Sequence, residues 1–91
     1  MTADSQFQQL LNREVVLDVS SPFVYVGTLE AEDQHYLALK NADVHDLRDT
    51  ATTRELYVLE SKRHGVNSNR KRVFVRKDEI VSISALDDVV E

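Results

Sequence analysis

Short β-branched runs, each ended within a few residues by turn chemistry, dominate this chain and point away from a helical bundle. Glu14 to Val19 alternates Val15, Leu17 and Val19 against Val16 and Asp18, and Ser20-Ser21-Pro22 ends it. Phe23 to Glu30 resumes at once, with Val24 and Val26 on one face and Tyr25 on the other. Gly27 stands in mid-run, where a missing side chain permits a sharp bend. Tyr36 to Leu39 opens a third strand running to about Val44. Arg72 to Arg76 and Ile80 to Ala85 are two more, joined by the charged turn Lys77-Asp78-Glu79. Five strands this short cannot hide their edges in a flat sheet, so the expectation is a mainly β chain whose five-stranded antiparallel sheet bends strongly into a small barrel.

Two helical segments interrupt the pattern. Phe7, Leu10 and Leu11 fall at i, i+3 and i+4 behind the capping candidates Asp4 and Ser5, which predicts a short amphipathic helix over 5–12. Between Asp46 and Arg72 the strand pattern stops. Thr52-Thr53-Arg54-Glu55 has capping-box spacing, Leu56 and Leu59 follow at i and i+3, and Lys62, Arg63 and His64 precede Gly65, where a closing helix attracts cations. A helix over Thr53 to His64, with Leu56 and Leu59 packed on the barrel or on a neighbour, is the expectation. A strand at Leu56 to Leu59 is the alternative that periodicity leaves open. The acidic tail Asp87 to Glu91 is expected to fray. The whole of 1–91 reads as one domain, with 46–70 as an insertion and 72–85 as the last two strands.

A domain of 91 residues buries only about 60 to 65% of the surface of its unfolded chain, so a partner covering more apolar area adds stability. The chain has no cysteine, which removes disulfides and thiolate metal sites and fits a reducing, cytoplasmic setting. No signal peptide or membrane span is read in it. The net charge of -5 hides a strong asymmetry: seven basic residues and no acidic one lie between Lys62 and Lys77, leaving four basic and sixteen acidic residues elsewhere. That polarity suits an anionic ligand, contacts between acidic and basic faces of neighbouring subunits, or simply a solvated loop.

In this order the strands resemble the Sm-like family. Val15 to Val19, Gly27-Thr28-Leu29, Asp33-Gln34-His35-Tyr36-Leu37 and Lys40-Asn41-Ala42-Asp43 are similar to its first motif, and Val73-Phe74-Val75-Arg76-Lys77-Asp78-Glu79-Ile80-Val81-Ser82-Ile83 to its second. The resemblance implies an Sm-like, SH3-type barrel carrying an N-terminal and an inserted helix. It further implies a homo-oligomeric ring, in the family usually of about five to seven subunits, with the fourth strand of one copy pairing with the fifth of the next. Single-stranded RNA at the ring pore is the implied ligand. A base would stack between His35 or Tyr36 and the Arg76 guanidinium, with Asp33 and Asp78 shaping the two loops and Lys77 near the phosphates. The family's base-reading asparagine is replaced by Leu37 or Tyr36, and the glycine after its arginine by Lys77, which implies stacking with little base preference.

Other chemistry is sparse. No serine or threonine has a visible base partner, and with Gly27 and Gly65 as its only glycines the chain carries no phosphate loop. The carboxylate pairs Glu32-Asp33 and Asp78-Glu79 read as solvated turn charges. An enzyme is not expected, and no cofactor is implied. His45, between Asp43 and Asp46 and shortly before Asp49, matches no standard metal-ligand spacing and reads as part of an acidic loop. His35 and His64 are isolated. Of the six aromatics, Phe7, Phe23, Phe74 and Tyr57 read as core or interface, while Tyr36 and Tyr25 are the base-stacking candidates. Two functions follow: an RNA-binding ring, or an oligomeric scaffold that keeps the ring without RNA.

Overall fold

The computed structural model describes residues 6–49 and 51–91. Asp4 and Ser5, the expected caps of the first helix, lie outside them. The elements in chain order are a 3₁₀ turn Gln6–Leu10, β1 (Glu14–Val19), β2 (Phe23–Glu32), β3 (Tyr36–Asp46), a 3₁₀ turn Leu47–Asp49, α1 (Arg54–His64), β4 (Arg70–Arg76), a 3₁₀ turn Lys77–Glu79, β5 (Ile80–Ala85) and a last 3₁₀ turn Leu86–Asp88. The strands form one antiparallel sheet in the order β4-β3-β2-β1-β5. Register shifts at Asp18/Val19, Val26/Thr28 and Leu29/Ala31 curl it, as extra residues on one strand increase the local twist. Gly27 sits at one of these shifts: a Cβ there would come within 2.9 Å of Ala42 Cα and Cβ, so the bend expected from the sequence is also a close backbone approach. At the far end of the barrel, Ser20 donates to the Glu79 carbonyl (2.9 Å) and carboxylate (2.8 Å), tying the β1–β2 turn to the β4–β5 turn.

The concave face holds Val15, Leu17, Val19, Leu29, Leu37, Leu39, Ala42 and Val75, closed at one end by Phe7, Leu10 and Leu11. A second core lies on the convex face, where Val58 of α1 meets Val16, Val24, Val26 and Leu86. That is why β1 is apolar on both faces: the insertion covers the side that an ordinary half-buried strand leaves to water. Each fully buried Leu or Val contributes roughly 1.5–3 kcal/mol, so a second core is a large gain for so small a domain.

Several expectations are corrected. The N-terminal helix is a 3₁₀ turn ending at Leu10, and Asn12 (φ 67°) turns the chain into β1 by donating to the Leu29 carbonyl at 2.7 Å. The inserted helix forms, with the Thr53 hydroxyl accepting from Leu56 N (3.1 Å) and Gly65 (φ 88°) as its C-cap. Its buried residues, however, are Val58 and Ser61, and Leu56 is 47% exposed. Four consecutive apolar residues, Leu56 to Leu59, point all round a helix and so do not select a face. His45 is on β3, stacked on Tyr57 with ring centroids 4.1 Å apart, and not in an acidic loop. The tail is not frayed: Leu86 is buried, Lys62 donates to the carbonyls of Asp87 (3.3 Å) and Val89, and Arg63 meets Glu91 at 2.7 Å. No helix among the described residues is long and apolar enough to cross a membrane.

Candidate functional site

Two tight turns make the site. Asp33 Oδ1 accepts from the backbone N–H of His35 and of Tyr36, both at 2.8 Å, and Asp33 N donates to the Tyr36 carbonyl at 3.0 Å, which pins the β2–β3 turn. These N–H donors, His35 first, hold the Asp33 carboxyl below its usual range, so it is ionised at neutral pH. The β4–β5 turn is the 3₁₀ segment Lys77–Glu79, over which Arg76 Nη2 pairs with Asp78 Oδ2 at 2.7 Å.

The β3–β4 register brings the turns together. Tyr36 is the partner of Arg76, and Lys77 N donates to the His35 carbonyl at 2.7 Å. A concavity of about 580 Å³ results, lined by Gln34, His35, Tyr36, Arg76, Lys77 and Asp78. Five of the six residues singled out in the sequence therefore line one site, and the sixth, Asp33, braces its rim. Tyr36 is 40% exposed and the Arg76 side chain 59% exposed, so an aromatic ring and a guanidinium both face solvent there.

Lys77 behaves differently from its sequence reading. Its ammonium lies 2.6 Å from Glu32 Oε2 and 4.9 Å from the centroid of the Phe7 ring, and Gln8 donates to the other Glu32 oxygen at 2.9 Å. The lysine is thus a strut between the site and the N-terminal turn, held by an ion pair and a cation–π contact. Sequence reasoning missed Gln34, which sits inside the predicted turn, and Glu32 and Phe7, whose contacts with Lys77 join distant parts of the chain and leave no local signal. Tyr25 is not part of the site; it packs against the concave core. The pocket can offer two flat faces, charged N–H donors and turn carboxylates.

No family model matches the sequence, and no curated protein matches it. Among solved structures the chain is similar to the Pyrococcus abyssii Sm protein in complex with a uridine heptamer, with a TM-score of 0.60 and 17% identity over 90% of this chain and 99% of that one. The protein is a small bent β-barrel whose fold is Sm-like.

Proposed function

We propose that this chain assembles through its two free sheet edges into a homo-oligomeric ring and binds single-stranded RNA at the Tyr36–Arg76 concavity. The observation that carries the reading is the placement of Tyr36 and Arg76 as strand partners on an open site between two pinned turns. Stacking between an aromatic or arginine face and a base contributes roughly 1–3 kcal/mol per base and tolerates any base, while Arg70, Lys71 and Arg72 on β4 supply attraction to phosphate. The fold likeness to an Sm protein bound to uridine supports the ligand class. Self-association is supported by the two edges: among the described residues β4 and β5 have a strand partner on one side only, and each carries an exposed apolar residue, Phe74 at 65% and Val81 at 72%. The reading is of a binding protein, with no catalytic step assigned.

Titration of short uridine-rich and adenine-rich RNAs by fluorescence anisotropy at two salt concentrations tests it. Binding should fall steeply with salt and differ little between bases, and Arg76→Ala should weaken it by about 1–3 kcal/mol with the assembly intact. Absence of binding at low salt rejects the RNA reading. It would leave the scaffold, which the pairing of Arg76 with Asp78 and of Lys77 with Glu32 favours, since both cations are already partly neutralised.

A further inference from the structure

The outer face of the sheet is not fully covered by α1. Beyond Val58, towards β5, a groove of about 220 Å³ remains open, and its apolar lining includes Val16, Val58, Leu59, Val89 and Val90, with Ser84 of β5 at its border. One wall is the C-terminal tail, and the contacts of Lys62 and Arg63 with it make that wall a fixed feature. Within the groove the polar groups Asp18 and Arg54 are satisfied by each other at 2.7 Å, and Ser82 also donates to Asp18. The remainder of the lining is apolar apart from Glu55 and Ser84, and Val90 is 88% exposed.

Position decides the occupant. β5 is a terminal strand of the sheet, so whatever pairs with its free side arrives beside the groove. β4, the opposite terminal strand, is suited to that place. Its alternation sends Val73 and Val75 into the concave core and leaves Arg70, Arg72 and Phe74 on the other side, with Phe74 65% exposed. If a second copy's Val73–Val75 row continues the Ile80–Ile83 row of β5, its Arg70–Arg72–Phe74 row comes to lie on the groove side of the sheet. The charges agree with this. In that row the Arg70 side chain donates to the neighbouring Asn69 carbonyl and forms no ion pair among the described residues, Arg72 is already paired with Glu30, and the groove itself is lined by Glu55 in the first turn of α1, which gives the Arg70 guanidinium an acidic partner.

We propose that the groove between α1, β5 and the C-terminal tail seats β4 of a second copy of this chain, so that the inserted helix is part of the subunit interface. The inference rests on the ring reading and adds to it: the subunits meet through side chains packed on α1 and the tail as well as through shared strand hydrogen bonds. An insertion from between β3 and β4 thereby strengthens contacts at the far edge of the sheet, where the next subunit docks.

The chain lacks cysteine, so Val90→Cys places a single thiol at the rim of the groove, and the exposure of Val90 makes the change harmless to the isolated fold. Maleimide labelling of that thiol should be about tenfold slower in the assembled protein than after dilution to monomer. In a separate variant, Val90→Arg should raise the concentration needed for half-assembly by about tenfold, read by analytical ultracentrifugation, with the monomer melting temperature unchanged. If the wild type assembles but the labelling rate and the Val90→Arg assembly curve do not move, the groove is open in the oligomer for another protein or peptide, and the proposal is overturned while the ring reading stands. A wild type that stays monomeric at high concentration overturns both.

Discussion

Replacing Gly27 with alanine should destabilise the barrel by a predictable amount. The new Cβ would lie 2.9 Å from both Ala42 Cα and Ala42 Cβ and 3.2 Å from the Lys40 carbonyl oxygen. Carbon atoms in good contact sit at roughly 3.5–4.0 Å, so the methyl intrudes by roughly 0.6–1.1 Å on backbone that the sheet holds in place. Forcing one extra carbon into a close-packed site costs about 1–3 kcal/mol. Against it stands about 0.4–1 kcal/mol from the lower entropy of the unfolded chain, which alanine gains because Gly27 has no positive φ. The steric term is the larger, and the net loss centres on about 1.3 kcal/mol, or about 5–10 °C in melting temperature for a domain of this size. Thermal and urea unfolding at a concentration that keeps the protein dissociated would measure it. Adding Ala42→Gly removes the clash with the residue 42 methyl and leaves the equally close approach to its backbone carbon, so a double-mutant cycle should recover part of the loss and no more. A melting temperature equal to or above wild type in Gly27→Ala would refute the close-approach argument.

Other outcomes follow from the second core and from the arginine-paired carboxylates. On α1, Val58→Asp should cost about 3 kcal/mol or more by burying an unpaired charge, whereas Leu56→Glu, on a residue already half exposed, should stay within about 0.5 kcal/mol in chemical denaturation. Tyr57→Phe removes the hydroxyl that donates to Asp43 Oδ2 at 2.5 Å and should cost about 1–2 kcal/mol, with α1 losing hydrogen-exchange protection before the strands do. The Arg48 guanidinium and backbone N–H hold Asp46 down at about 2, and Arg72 and Arg63 lower Glu30 and Glu91 in the same direction. Lowered pKa values mean a stabilisation present above the unfolded values near about 4 and lost as pH falls through the folded ones. Melting temperature should therefore drop between about pH 4 and pH 2, and less so in high salt, because the paired arginines Arg48, Arg72 and Arg63 are exposed and screened.

The ends of β1 and β5 were legible because alternation and turn residues change together there, at Ser20-Ser21-Pro22 and at Lys77-Asp78-Glu79. β4 begins at Arg70, two residues before the sequence reading, because Arg70 and Lys71 look like loop yet pair with β3 through Ala42, where Asn69 also bridges both backbone groups of Val44. The meeting of Tyr36 with Arg76 was legible only through the resemblance of two motifs to the Sm-like family, and the register shows why it occurs: the β2–β3 and β4–β5 turns adjoin at the same end of the β3–β4 ladder. The partners of the site cations were not. Lys77 and Glu32 are 45 positions apart, and which cation is taken up by an internal ion pair depends on where the N-terminal turn lands. The face of α1 was equally hidden, because its four-residue apolar run satisfies every helical phase.

The place of the insertion bears on how the molecule can assemble. A helix inserted between β3 and β4 has its entry and exit near the β4 edge, and the simplest packing would lay it along that edge and cap it. Instead α1 crosses to the face over β1 and β2, anchored by Val58 among Val16, Val24 and Val26, by Arg54 on Asp18 of β1 and by Tyr57 on Asp43 of β3. The chain then returns through Asn69 to start β4 with its outer side unpaired. Covering the face satisfies the apolar outer row of β1 and β2 without using the hydrogen-bonding groups of either terminal strand. An insertion selected only to protect a monomer would have gained more by covering an edge, since exposed edges carry the aggregation risk. That the described residues leave both edges open, each with an exposed apolar residue, is what a chain needs if its edges are completed by copies of itself.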